Sequence, residues 1–251
     1  MEVRGCPPWL PGPPARASPS WPPGQGTGRH AGRGRLEAGR WLVLAGLSLA
    51  AVGASFAPWV DRPPAVLVLT APDMAEFVKF LPEVRAGSLA VERLLFLLPL
   101  LVVTLSLPLV MAAPSLAYPR RMRWLVLAAV VPLSLTLLPP IWSPAVLLSA
   151  EFRLQTVACL LCLGLVAASR WLRGAPLRPL VALLLPLSLA APALALWQFF
   201  VVQEAVARAY ASPIAPGWGA WGTVAGFTLV ILGAILMRYC EATETTCPPR
   251  R

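Results

Sequence analysis

Six stretches of this chain carry no formal charge, and those runs decide what it can fold into. They cover residues 41–60, 94–118, 124–148, 154–169, 179–202 and 217–237. Crossing about 30 Å of hydrocarbon takes roughly 20 helical residues, and in lipid only helices or closed barrels satisfy their own backbone. The expected fold class is therefore all-α: a polytopic membrane protein with a bundle of six transmembrane helices. The stretch 154–169 is the shortest; it gains length by taking in Trp171 and Leu172 while Arg170 snorkels to the headgroups.

The domain organisation follows from the same runs. Residues 41–237 form the membrane domain, 1–40 a basic cytoplasmic tail and 238–251 a short cytoplasmic tail. Residues 1–40 hold eight Pro, eight Gly and six Arg with few large apolar side chains. Such a segment cannot bury enough surface to offset its ordering entropy, so it is expected to be disordered and dispensable. A basic flank before an apolar run also suits a signal peptide, but the run from Trp41 is long for one. The only tolerable cleavage point, after Ser55-Phe56-Ala57, would leave Pro58 next, so a retained first helix is expected.

Arginine placement sets the orientation. The segments 1–40, 119–123, 170–178 and 238–251 hold 15 Lys/Arg, against six in 61–93, 149–153 and 203–216. The positive-inside rule puts the first group, and both termini, in the cytoplasm. The 20 Arg against one Lys, with no Asn, suit a GC-rich bacterial coding sequence, hence an inner (plasma) membrane location for this multi-pass chain. Trp41, Trp59, Tyr118, Trp124, Trp171, Trp197 and Trp218 fall near span ends, where amphipathic rings belong.

The formal charge of +10 sits in short clusters between apolar runs rather than in a basic stripe with stacking aromatics. Nucleic acid is excluded as a partner on that ground; the lipid bilayer, and anionic headgroups on the cytoplasmic side, are expected instead. No cofactor and no metal are expected. Cys159 and Cys162 share a helix face, but the spans hold no His, Asp or Glu, and His30 is the only histidine. The thiols read as small apolar fillers, and five cysteines in all make no disulfide framework.

The segment Asp61–Arg93 is the one long polar stretch between spans, with nine of the 32 charged residues. Thr70-Ala71-Pro72-Asp73 has the spacing of a helix start, with Thr70 as cap and Asp73 reaching back. Met74, Phe77, Val78 and Leu81 then recur on one side, with Asp73, Glu76, Lys79 and Glu83 on the other. The pattern predicts a short amphipathic helix on the outer membrane surface, its charges paired locally at i,i+3 and i,i+4.

Prolines and glycines mark two further features. Pro132, Pro139, Pro140, Pro186 and Pro192 are expected to break helices, as packing kinks or along a substrate path. The third and fifth spans also share Pro-Leu-Ser-Leu, at 132–135 and 186–189. Gly222 and Gly226 form a GxxxG in the last span, expected to pack against a helix of the same chain.

Asp61, at the outer lip of the bundle, is the candidate general base or metal ligand. A first outer loop with an acid and a surface helix is similar to that of membrane glycosyltransferases using lipid-phosphate sugar donors. The paired acidic motif and larger helix number of that family are missing here, so the family is not assigned. With no ionisable residue in a span, no P-loop and no GxSxG elbow, a non-catalytic membrane component is expected: a subunit, assembly factor or lipid-interacting scaffold with a protein partner. The alternatives are a permease for an uncharged or lipid-like substrate, its path between the third and fifth spans, and a lipid-linked transferase using Asp61.

Overall fold

The computed structural model of the chain describes residues 27–62, 67–139, 143–172, 174 and 176–245. Its elements in order are α1 (Thr27–Ser55), β1 (Val60–Arg62), β2 (Leu67–Leu69), α2 (Ala71–Phe77), α3 (Pro82–Arg85), α4 (Leu94–Ala112), α5 (Arg120–Leu135), α6 (Pro144–Leu147), α7 (Arg153–Ala168), α8 (Leu177–Ala209) and α9 (Trp218–Thr245). The chain is mostly helical. The strands form a short antiparallel hairpin with Asp61 opposite Val68.

Among the described residues, four helical segments are long and apolar enough to cross a membrane: Gly34–Ser55, Leu94–Ala112, α8 and Trp218–Tyr239. That fits a membrane location. The expected third span is shorter than read from the sequence, and the fourth keeps its 16 residues without the expected extension. Helix α5 stops at Leu135 and α7 covers 16 residues, about 24 Å at 1.5 Å per residue. Apolar sequence continues after α5, but Pro139 withholds a backbone donor, and the next described helix is the four-residue α6, with Pro144 at its first position. Trp171 and Leu172 do not prolong α7; they close a turn on the Ala168 carbonyl.

Other boundaries move too. Helix α1 begins at Thr27, so residues 27–40, expected to be disordered, are helical; residues 1–26 lie outside the described residues. The extension has a packing partner, since Gly39 of α1 lies against Gly233 and Met237 of α9. Helix α4 ends at Ala112 rather than 118, before a 3-10 turn at Pro114–Leu116.

The prolines expected to break helices mostly do not. Helix α8 runs unbroken through Pro186 and Pro192, and α5 through Pro132. One missing hydrogen bond per proline leaves the rest of a long helix intact, and packing on neighbours sustains it. The interruption falls at Pro139, which ends no helix itself but lies in the stretch after α5; Pro140 is outside the described residues.

Helices α1, α9, α8 and α4 pack pairwise in that order, and α4 closes the ring on α1. The α5–α7 hairpin packs on α4 from outside the ring. The seam between α1 and α9 is built on glycines seven residues apart: 39, 46 and 53 on one helix, 219, 226 and 233 on the other. Gly39 meets Gly233, Gly46 meets Gly226 and Gly53 meets Gly219, so the helices are antiparallel. Buried Val43 and Ala50 on α1, and Thr223 and Val230 on α9, fill the intervening positions, giving the 4,3 spacing of a coiled-coil seam. Gly226 of the expected GxxxG belongs to this seam. Gly222 does not press on it: a methyl there would sit 4.0 Å from Gly53 Cα, an ordinary contact.

Candidate functional site

The polar residues of 61–93 gather at one end of the bundle. The hairpin sets the entry: Trp59 N donates to Leu69 O at 2.7 Å, and Trp59 O accepts from Gly217 N at 2.6 Å. Trp59 was expected at a membrane interface but is fully buried. Its ring lies 6.3 Å from both Phe96 of α4 and Phe199 of α8, and its indole N–H donates to Gly53 O at 3.0 Å. That bond supplies the partner a buried indole needs.

Helix α2 starts as its spacing predicts. Thr70 N donates to Asp73 Oδ2 at 3.0 Å and Asp73 N to Thr70 Oγ1 at 3.4 Å, a capping box. Ala71, Met74, Ala75, Val78 and Leu81 are buried on the bundle side. The opposite side does more than pair locally. Lys79 reaches Glu76 at 2.5 Å but also Glu151 at 2.9 Å, before α7. Arg93 shares the same Glu151 oxygen at 2.9 Å, donates to the Glu151 carbonyl at 2.6 Å and lies 3.6 Å from Glu76.

Both cations also stand 4.9 Å from the centre of the Phe152 ring. Two carboxylates, two cations and one aromatic face thus join the α2 segment and the start of α4 to the start of α7. The Arg93 side chain is only 14% exposed, so its pairing is screened less than that of a surface ion. The hydrogen bond from Lys79 holds the Glu151 carboxyl below the usual range, against the opposing effect of burial.

A second tie reaches α8. Arg208 donates from Nε to Glu83 Oε1 at 3.1 Å, and its Nη2 lies 3.1 Å from the same oxygen. Glu83 titrates below its ordinary value through its own backbone N–H first, then the Arg208 hydrogen bond. Phe77 and Tyr210 pack with ring centres 5.8 Å apart, and Gln203 Nε2 donates to Ile214 O.

Of the residues singled out from sequence, Glu76 and Lys79 therefore meet at one cluster, and Glu83 joins a separate pair. Asp73 spends its carboxylate on the α2 cap. Asp61 stands apart, exposed on β1 at the rim of an open cavity of about 340 Å³, whose other walls are Val60 and residues 213–217. Glu151, Phe152 and Arg208 were missed. Their partners lie 58 to 125 residues away, and no local spacing announces such pairs. Among the described residues no group of three His, Cys, Asp or Glu is placed to hold a metal ion.

At the opposite end, Arg40 Nη1 donates to Leu116 O at 3.0 Å, and Tyr118 OH donates to Arg40 O at 2.6 Å. The Arg170 guanidinium lies 5.4 Å over the Trp124 ring. Between the two ends α4 and α7 run in parallel and in register. Arg93 and Glu151 pair at their starts, and Thr104 Oγ1 and Cys162 Sγ are 3.2 Å apart further along.

No family model, no curated protein and no solved structure matches the chain.

Proposed function

We propose that this chain is a six-span, non-catalytic component of a bacterial plasma membrane, with both termini cytoplasmic and an outer platform that seats a protein partner. The observation that carries this reading is the sharing of Glu151 by Lys79 and Arg93. The charges of the platform are spent on joining helices, which is the work of a scaffold. A catalytic carboxylate instead needs a proton or substrate within reach.

The six-span count draws support from which segments meet. Residues of 149–153 and of 203–216 each contact 61–93, and all three segments are assigned outside by arginine placement. Arg40 meets Leu116–Tyr118, and Arg170 meets Trp124, at the other end. Helix α7 starts level with α4, and with their flanking turns α5 and α7 connect the same two ends. A short span is accommodated by local thinning and snorkelling at modest cost.

The test is affinity isolation of the full chain from its native membrane, followed by native mass spectrometry. A stoichiometric second protein is the expected result. A protein that runs alone, or only with copies of itself, overturns the scaffold reading.

A facilitator for an uncharged or lipid-like substrate is the second reading. It is favoured by buried polar atoms that lack partners, Gln155 Oε1 on α7 and Ser188 Oγ and Gln198 Nε2 on α8. Helix α4 packs against both α5 and α8, so a path would follow its surface rather than a direct α5–α8 interface. Flux through protein reconstituted alone would favour it. The transferase reading has Asp61 beside an open cavity in its support, and loss of activity in Asp61→Asn with folding retained is its test.

A further inference from the structure

We propose that the end of the bundle opposite the Glu151 cluster binds the phosphate headgroup of an anionic lipid through Arg40, Arg120, Arg121, Arg123 and Arg170. The proposal deepens the scaffold reading and rests on its orientation only for naming the leaflet.

Three elements bring these side chains together. Arg40 of α1 is fixed beside the start of α5 by its bonds to Leu116 O at 3.0 Å and Ala117 O at 3.4 Å. Its guanidinium lies 5.5 Å from the Trp41 ring centre and 6.0 Å from that of Tyr118. Helix α5 supplies Arg120, Arg121 and Arg123 in its first turn. Arg170, just past α7, lies over Trp124, the neighbour of Arg123. Arg120, Arg123 and Trp124 share a helix face at i, i+3 and i+4.

The charges here are handled differently from those at the other end. Lys79, Arg93 and Arg208 each have a carboxylate within 3.1 Å. Among the described residues none of the five arginines has a carboxylate partner, and the Nε atoms of Arg40 and Arg123 are buried with no hydrogen-bond acceptor. A buried charged donor without an acceptor is costly, and so is a group of like charges. No acidic residue stands in the first turn of α5 to offset them. An anion with several acceptor oxygens removes both costs, and guanidinium forks match phosphate geometry.

The surrounding rings select a lipid over a soluble phosphate. Trp41 and Trp124 are 41% and 44% exposed, the half-wet state suited to the headgroup boundary, and both contact arginines of the cluster. A phosphodiester held by the arginines would lay its acyl chains along the exposed apolar flank of α5, where Leu125 and Val131 face outward.

The test uses the full chain in detergent, with phosphatidylglycerol or phosphatidylcholine added, read by native mass spectrometry. Phosphatidylglycerol should be retained at least about tenfold more strongly, an advantage that Arg120→Gln/Arg121→Gln/Arg123→Gln removes and Arg85→Gln, at the other end, does not. Should the triple variant unfold, Arg121→Gln alone, at an exposed position, must lower retention about fivefold. Equal retention of the two lipids, or retention untouched by the substitutions, overturns the site. Displacement of the lipid by millimolar inorganic phosphate overturns the lipid assignment in favour of a free-phosphate site. Labelling of Ser115→Cys from one side of intact cells reads the orientation separately, so a wrong leaflet and a missing site give different results.

Discussion

Gly46 and Gly226 face each other so closely that a methyl built on Gly46 would lie 2.5 Å from Gly226 O. One built on Gly226 would lie 2.5 Å from Ala50 N. Backbone, not a flexible side chain, fills the space. The α1–α9 seam therefore has no slack at its centre, which makes it the first place to test the fold.

Gly46→Val and Gly226→Val should each destabilise the protein by at least about 1–3 kcal/mol, the cost of overpacking against structure that cannot yield. Gly222→Ala is the internal control. Its added methyl finds an ordinary contact at 4.0 Å, and it should be neutral or stabilising by about 0.4–1 kcal/mol. Thermal unfolding of the detergent-solubilised protein measures all three, and equal losses would remove the seam from the account.

Arg93→Ala removes the Glu151 pairing and the bond to the Glu151 carbonyl at once. With Arg93 14% exposed and Glu151 51% exposed, the loss should be about 1–2 kcal/mol, between a surface ion pair and a buried charged hydrogen bond. It should be local, too. Hydrogen exchange is expected to rise over residues 143–156 while α1 and α9 keep their protection.

Glu151 and Glu83 both titrate below the ordinary 4.5 in the folded protein. A carboxylate with a depressed folded value contributes stability that is fully present above its unfolded value. That stability is lost as pH falls through the folded one. Stability should therefore stay level from neutrality down to about pH 5 and fall below about 4.5. Glu151→Gln should flatten that fall. A decline beginning near pH 6 would point to some other group.

Single cysteines in the full chain, with the native ones replaced, can read the span count. Ser88→Cys and Ser149→Cys should react with an impermeant reagent from outside intact cells, and Ser115→Cys only after permeabilisation. Ser149 decides whether α5 and α7 cross. If it is labelled from the same side as Ser115, they form a hairpin that enters and leaves by one face.

Local chemistry was the legible part of this sequence. The Thr70–Asp73 cap, the buried side of α2 and four apolar spans follow from spacing within a turn or two. The α1–α9 pairing was also legible, in glycines repeating at seven in both helices, but the four-residue spacing of Gly222 and Gly226 drew the reading to a weaker feature. The extents of α5 and α7 were harder, because hydropathy continues past Leu135, where α5 already ends, and through the turn at Trp171 and Leu172 beyond α7. Glu151 could not be found at all. Its role depends on α4 and α7 starting level, a property of packing that the residues around 151 do not carry.

The pairing of α1 with α9 also sets a schedule. About 160 residues of chain separate the end of α1 from the start of α9, so at ~5–20 residues per second the first helix waits on the order of 10–30 s for its partner. During that interval its glycine groove is filled by something other than α9, whether lipid, the insertion machinery or another nascent chain. Until the final helix has been made, the ring lacks one member, and any truncation before residue 218 leaves α1 without its main neighbour.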